Sequence, residues 1–187
     1  MEDSTKDTKK ATNNDTGGGI DSSTDSDQPD IKVIIIGDSA VGKSKLIERF
    51  LDDEYTPHRL STHALTLYRK KITLGDGTHV NTEVWDTAGQ EKFNSLHSSY
   101  YFNADVCMLV FDITRKQTYM NLKRWYSELQ DHCESIPCIL VANKVDMDFA
   151  VTRKKFKFAA QHNLPLFYVS SCDGTNVVKV SKLYPGK

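Results

Sequence analysis

Short apolar runs alternate with amphipathic segments from residue 31 onward, and this pattern predicts the order of strands and helices. The first run, IKVIIIG, is rich in β-branched residues and ends at Gly37, so it predicts a buried strand. Similar runs predict five more strands, in HALTLYRKKITL, THVNTEVWD, DVCMLVFDI, IPCILVANK and LPLFYVS. The link LGDGT contains Asp-Gly, a strong hairpin signal, so the second and third strands are expected to be antiparallel.

Three segments with apolar residues at helical spacing separate these strands: SKLIERFLDDEY, TYMNLKRWYSELQDHC and VTRKKFKFAAQHN. One hairpin followed by alternating strands and helices predicts an α/β fold. We expect a mixed, mostly parallel six-stranded sheet with helices on both faces. Ligands of such sheets bind at the C-terminal ends of the strands, so functional motifs are expected there.

Residues 1–30 break the pattern, because they are mostly Ser, Thr, Asp, Asn and Gly. Three lysines stand against eight acidic residues, and Ile20 is the only large aliphatic side chain after Met1. Such a segment has too little apolar surface to offset the entropy cost of ordering. We therefore expect a disordered acidic tail over residues 1–30 and a single folded domain over residues 31–187.

The net charge, the cysteine spacing and the lack of targeting signals exclude several classes of protein. A net charge of -1 over 187 residues predicts no general affinity for nucleic acid. Four cysteines without CxxC spacing predict free thiols of a reducing compartment rather than a disulfide framework or a zinc site. We find no long apolar span, apolar signal segment, C-terminal cysteine or Gly after Met1, so we expect a cytoplasmic chain without a direct lipid anchor.

The stretch GDSAVGKS, residues 37–44, fits the phosphate-binding pattern GxxxxGK[ST] between a predicted strand and a predicted helix. Glycines at Gly37 and Gly42 allow the loop to turn its N–H groups toward an anion, and the helix adds its positive N-terminal end. Lys43 would neutralise the β- and γ-phosphates, and the Ser44 hydroxyl would bind Mg²⁺. This motif does not distinguish ATP from GTP. The residues expected to contact phosphate are Asp38, Ser39, Ala40, Val41, Gly42, Lys43, Ser44 and Lys45.

The stretch NKVD, residues 143–146, follows a predicted strand and indicates which base is bound. The Asp146 carboxylate can accept hydrogen bonds from N1–H and the exocyclic amine of guanine, and adenine would leave it unpaired. Asn143 can brace the loop or reach the base, and the Lys144 stem can lie along the ring face.

Four weaker candidates complete the base site. The backbone N–H groups of Ser170, Ser171 and Cys172 can face the base carbonyl, after the last predicted strand. Tyr55 can stack on the base or ribose, although simple packing explains a tyrosine there equally well.

The stretch WDTAGQE, residues 85–91, has the residues of a nucleotide-sensing loop. Asp86 can hold Mg²⁺ through its water shell, and Gly89 can bring its N–H close to the γ-phosphate. Gln90 can orient the attacking water, because its amide donates and accepts at once. Thr62 can supply a second Mg²⁺ ligand. Two loops held by one phosphate would be released when that phosphate leaves.

Gln90 and Lys43 are therefore the expected catalytic residues. No arginine lies where an intrinsic finger is obvious, so we expect slow hydrolysis alone and up to ~10⁵-fold stimulation by a partner that supplies one. Two alternatives remain open: a GTP-binding module driven by nucleotide exchange with incidental hydrolysis, and a P-loop kinase for a small metabolite. The kinase would need an arginine-rich lid, for which the sequence shows no candidate.

Taken together, residues 37–44, Thr62, 86–90 and 143–146 resemble the G domain of the Ras superfamily, which is a P-loop NTPase fold. WDTAGQEKF, SLHSSYYFNAD and LVFDIT resemble Rab GTPases, whereas LSTHALTLYRKK departs from the usual Rab segment. With GDSAVGKSKLIERF, NLKRWYSEL, IPCILVANK and DGTNVVK, that departing segment is similar to the Rab-like branch. The resemblance covers about residues 31–179.

The resemblance implies a small GTPase that binds GTP or GDP with Mg²⁺ and recruits effectors in its GTP form, with activating and exchange proteins as partners. It also implies a place at the cilium and basal body. There the GTP form would associate with intraflagellar transport complex B, and a centriolar protein would recruit it.

Two features depart from the family pattern. Ser170-Ser171-Cys172 stands where most Rabs have Ser-Ala-Lys, so the packing of that lysine is lost. After GTNVVKV only SKLYPGK remains, and Pro185-Gly186 would stop a helix. We therefore expect a truncated last helix and reduced stability.

Overall fold

The computed structural model describes residues 29–51, 65–73, 76–87, 97–133 and 135–177. Within these ranges, six strands form one sheet. They are β1 (Ile31–Ile36), β2 (Leu65–Thr73), β3 (His79–Thr87), β4 (Val106–Asp112), β5 (Cys138–Asn143) and β6 (Leu166–Tyr168).

Five α-helices lie within the described ranges. They are α1 (Lys43–Leu51), α2 (His97–Tyr101), α3 (Lys116–Met120), α4 (Leu122–His132) and α5 (Lys157–Gln161). Two 3₁₀ helices, Val145–Met147 and Phe149–Arg153, follow β5. None of the helices in the described part of the chain has the length and apolar character needed to cross a membrane.

The sheet has the strand order β2-β3-β1-β4-β5-β6. Among the described strands, β2 and β3 pair in antiparallel fashion, and the other four pairings are parallel. The predicted mixed, mostly parallel sheet is confirmed. β1 lies between β3 and β4, so the strands that follow it in the sequence lie on both sides of it in the sheet. The strand order therefore reverses at the C-terminal end of β1, and ligands of such sheets bind at this topological switch point.

Helices cover both faces of the sheet, as predicted. Val33 and Ile35 of β1 belong to the core that contains Leu46 of α1. Ile34 belongs to the opposite core, together with Leu129 of α4. Because alternate side chains of β1 enter two different cores, its sequence is apolar without interruption from Val33 to Ile36.

The long amphipathic helix predicted over residues 118–133 begins earlier, at Lys116, and is interrupted at Asn121. The backbone of Asn121 remains in the helical region (φ −74°, ψ −11°), and its N–H donates to the Gln117 carbonyl. The interruption is therefore one residue long, and its side chain makes a contact described below.

The single helix predicted over residues 151–163 is wrong. The chain instead forms the 3₁₀ helix Phe149–Arg153, an extended link, and then α5. Phe156 in the link has an extended backbone, and its ring lies 5.0 Å from that of Phe111 and 5.1 Å from that of Tyr119, between centroids. Packing in this aromatic cluster overrides the helical spacing of the sequence.

Some predictions are shortened or lie outside the described residues. The last predicted strand is reduced to β6, and helix α1 ends at Leu51, where the first described range stops. Residues 1–28 of the predicted tail, and the predicted truncated helix after residue 177, lie outside the described residues.

All four cysteines are free thiols, as predicted. Cys107 and Cys138 are buried and stand opposite each other on β4 and β5. Burial raises the pKa of the Cys107 thiol, which makes it unreactive.

Candidate nucleotide-binding site

The loop from Gly37 to Ser44 joins the C-terminal end of β1 to α1, and its two glycines are required by close neighbours. A Cβ on Gly37 (φ 143°) would lie 2.2 Å from the Val110 carbonyl oxygen. A Cβ on Gly42 (φ 99°) would lie 2.4 Å from the Asn143 amide nitrogen. A side chain at either position would push the loop away from the sheet.

The Lys43 ammonium lies inside this loop. Its Nζ donates to the carbonyl oxygens of Gly37 and Asp38, each at 2.9 Å, and the residue is only 6% exposed. Burial lowers the pKa of Lys43 to about 8, despite the nearby Asp86 carboxylate. An anion bound in the loop would therefore favour the charged form of this lysine.

Ser44 and Asp86 meet beside Lys43, although 42 residues separate them in the sequence. The Ser44 hydroxyl donates to Oδ2 of Asp86, while the other carboxylate oxygen, Oδ1, is buried without a hydrogen-bond partner among the described residues. Burial raises the pKa of Asp86. A hydroxyl and an unpaired carboxylate oxygen are ligands that Mg²⁺ accepts directly or through water, so these residues fit that ion.

Thr62, the other predicted Mg²⁺ ligand, lies outside the described residues. Within the described ranges, no group of three or more His, Cys, Asp or Glu side chains forms a separate metal site.

Asn143, at the end of β5, joins three loops and is completely buried. Its amide nitrogen donates to the Val41 carbonyl at 2.8 Å and to the Ser171 hydroxyl at 3.1 Å. Its amide oxygen accepts from the backbone N–H groups of Lys144 at 2.8 Å and Ser171 at 3.0 Å. Of the two predicted uses of Asn143, the structure therefore shows the bracing one.

Lys144 lies in the left-handed region (φ 69°), and its side chain reaches the phosphate-loop segment. Its Nζ lies 3.0 Å from the Ala40 carbonyl oxygen and 2.7 Å from the Asp112 carboxylate. The stem of this lysine thus spans the space between the loop after β5 and the loop after β1.

Asp146 lies on the 3₁₀ helix Val145–Met147, which is fixed by a hydrogen bond from the buried Val145 N–H to the Val169 carbonyl. One oxygen of Asp146, Oδ1, is buried and has no hydrogen-bond partner within the described part of the chain. Leaving a buried carboxylate oxygen unpaired costs free energy, so a ligand that donates to it would be favoured.

The loop after β6 is ordered by Ser170, whose hydroxyl accepts from the N–H groups of Cys172 and Asp173 at 3.2 and 3.1 Å. Arg49, in the last turn of α1, donates to the Cys172 carbonyl at 2.6 Å. No sequence motif points to this arginine. It secures the loop at the position where the lysine of most Rabs is absent.

Two predicted phosphate-binding residues direct their side chains elsewhere. The Asp38 carboxylate accepts from the Asn121 amide and the Trp125 indole N–H, each at 2.7 Å, so it faces the junction of α3 and α4. Lys45 is exposed and pairs with Glu48 at 2.9 Å. The side chains of Asp38 and Lys45 are therefore not directed into the phosphate loop.

The structure thus brings the loops after β1, β5 and β6 and the C-terminal end of β3 to one end of the sheet. Four other predicted site residues lie outside the described residues: Tyr55, Thr62, Gly89 and Gln90.

Comparison with known proteins agrees with this arrangement. The Ras family model matches residues 32–183. Rab-like protein 2A of Mus musculus is 57% identical over 150 residues, which cover 80% of this chain and 67% of that protein. Rab-like protein 2A of Homo sapiens is also 57% identical over 150 residues, with 80% and 65% covered. The chain thus spans about two thirds of the length of these relatives.

A more distant relative is Ras-related protein Rab-1D of Dictyostelium discoideum, which is 39% identical over 150 residues, with 78% of this chain and 73% of that protein covered. The fold, the family match and the two Rab-like relatives lead to one assignment. The chain belongs to the Ras family, within its Rab-like branch.

Proposed function

We propose that this chain is a small GTP-binding switch that binds GTP and GDP together with Mg²⁺ and hydrolyses GTP slowly on its own. The observation that carries the proposal is the unpaired buried oxygen of Asp146. It lies in a loop that Asn143 and Lys144 fasten to the phosphate-loop segment. Guanine offers two adjacent donors to such a carboxylate, and adenine does not.

Each residue of the proposed site has a distinct task. The loop N–H groups and the Lys43 ammonium hold the β- and γ-phosphates and stabilise the charge that develops on them. Ser44 and Asp86 would hold Mg²⁺, which neutralises phosphate charge when bound. Gln90 orients the water that attacks the γ-phosphorus while the bond to the β,γ-bridging oxygen breaks.

The proposed switch depends on the same γ-phosphate and Mg²⁺. Thr62 and Gly89 would be held by Mg²⁺ and by the γ-phosphate, and both would be released when that phosphate leaves. Effectors would recognise the loops in the GTP-held arrangement. An activating protein would accelerate hydrolysis by supplying an arginine, and an exchange protein would replace GDP with GTP.

The test is single-turnover hydrolysis by the purified full chain after its affinities for GTP and ATP have been measured. We expect selective binding of GTP and phosphate release on the order of 10⁻³ per second or slower, abolished in Gln90→Leu. Equal affinity for ATP and GTP would refute guanine recognition. Binding of GTP with no release above the Gln90→Leu variant would leave a nucleotide-exchange adaptor as the function.

We further propose that the switch acts in ciliary transport, in the cytoplasm and at the ciliary base. The support is the similarity of its motifs to those of Rab-like proteins and its 57% identity to two of these proteins over 150 aligned residues. The proposed partners are intraflagellar transport complex B and a centriolar protein. In ciliated cells, tagged Gln90→Leu is expected to co-purify with complex B and to collect at the basal body. A GDP-favouring Ser44→Asn variant is expected to do neither, and equal recovery by both would refute the role.

A further inference from the structure

A buried carboxylate at the end of β4 holds two cations. Asp112 is 1% exposed and accepts from Nε of Arg115 at 3.0 Å and from Nζ of Lys144 at 2.7 Å. The Thr114 backbone N–H and hydroxyl donate to it at 2.9 and 2.7 Å. Burial opposes its charge, yet the hydrogen bonds from Lys144, Thr114 and Arg115 lower the pKa of Asp112. One negative charge therefore faces two positive ones, which leaves a positive excess here.

Both cations also contact the phosphate-loop segment, on consecutive carbonyl oxygens. Arg115 donates through a terminal nitrogen to the Ser39 carbonyl at 2.8 Å, and Lys144 donates to the Ala40 carbonyl at 3.0 Å. Arg115 thus uses Nε to hold Asp112 and its outer nitrogen to hold the loop. This two-sided contact fixes the direction of the guanidinium plane.

The order of contacts along the loop indicates which part of a nucleotide Arg115 acts on. Base-loop residues Asn143 and Lys144 hold Val41 and Ala40, whereas Arg115 holds Ser39, one residue nearer β1. Ser39 directly follows Asp38, whose carbonyl oxygen accepts from Nζ of Lys43 at 2.9 Å, and Lys43 is the lysine proposed to hold the β- and γ-phosphates. Arg115 therefore acts on the phosphate end of the site rather than on the base end.

We propose that Arg115 is a positioning residue that favours the triphosphate over the diphosphate, by holding the Ser39 turn and adding positive charge beside the terminal phosphate. The proposal rests on the proposed function. GTP carries more negative charge than GDP, so a cation fixed at this end strengthens GTP binding more. The Arg115 side chain is 43% exposed, which means that salt should weaken the effect.

The test compares the affinities of the full chain for GTPγS and GDP in wild type, Arg115→Gln, Arg115→Lys and Lys116→Gln. Lys116 is the neighbouring exposed lysine, so Lys116→Gln removes the same charge without touching the loop contact. We expect Arg115→Gln to lose about threefold to tenfold more affinity for GTPγS than for GDP. Arg115→Lys should keep most of the preference, and Lys116→Gln should match wild type.

Equal losses for GTPγS and GDP in Arg115→Gln would assign Arg115 a merely structural role and overturn the proposal. So would an Arg115→Lys variant that loses the preference as fully as Arg115→Gln. A salt titration of wild type gives a second check that needs no variant, because the GTPγS preference should fall as ionic strength rises. Failure of wild type to bind either nucleotide would instead refute the proposed function itself.

Discussion

Replacing Asn143 with alanine removes the buried amide that fastens the loops of the site to one another. Four hydrogen bonds are lost, to Val41, to the N–H of Lys144 and to the hydroxyl and N–H of Ser171, all between 2.8 and 3.1 Å. The residue is completely buried, so water would not replace these partners without opening the loops.

The magnitude follows from the number of bonds. Each buried hydrogen bond contributes about 0.5–1.5 kcal/mol net, so four of them contribute about 2–6 kcal/mol to the free energy of unfolding. For a domain of this size, 1 kcal/mol shifts the melting temperature by about 2–4 °C, which predicts a fall of about 4–24 °C.

The assay is thermal unfolding followed by circular dichroism, at fixed protein concentration, with and without GDP. Ser171→Ala is the matched control, because it removes only the bond from the Asn143 amide to the Ser171 hydroxyl. We expect that control to lose about a quarter of the effect and to keep its stabilisation by GDP. An Asn143→Ala variant that melts within about 2 °C of wild type and is still stabilised by GDP would refute the reasoning.

Two further predictions concern Arg49 and Lys43. Because the Arg49 guanidinium holds the Cys172 carbonyl, Arg49→Ala should release GDP about fivefold to tenfold faster in a stopped-flow chase, and an unchanged rate would contradict this role. Because the pKa of Lys43 is lowered to about 8, nucleotide binding at pH 8.5 should take up part of a proton, and binding at pH 6.5 should take up almost none from this group. Calorimetry in two buffers with different ionisation enthalpies measures the uptake, and equal binding enthalpies in both buffers at pH 8.5 would rule it out. The same shift predicts that the chain without nucleotide gains stability as the pH rises from about 8 toward 10.5, since the unfolded chain binds more protons in that window.

The strands could be predicted because a buried strand leaves a short run of apolar residues in the sequence. β1 is apolar from Val33 to Ile36 since both of its faces are covered, and the Asp-Gly turn identifies the antiparallel pair. The prediction of a single helix over residues 151–163 is wrong for a reason that the local sequence pattern does not show. Phe156 packs on Phe111 and Tyr119, which come from distant parts of the chain.

The residues of the candidate site likewise form two groups, those that a local motif identifies and those that only the fold brings into the site. Residues such as Lys43 and Asn143 stand in contiguous motifs, so their positions could be read from the sequence. Arg115 contacts a residue 76 positions away, and Arg49 contacts one 123 positions away, without any motif of their own. Such contacts depend on how the strands are ordered, and they become visible only when the fold brings the loops together.

The most direct test of the central claim is nucleotide specificity in Asp146→Asn. Guanine donates from N1 and from its 2-amino group, whereas xanthine has a carbonyl at position 2 that accepts a hydrogen bond from an asparagine amide. We expect wild type to prefer GDP over xanthosine diphosphate by at least about a hundredfold, and Asp146→Asn to reverse that preference. An Asp146→Asn variant that binds GDP as tightly as wild type would contradict the assignment of Asp146 as the residue that recognises guanine.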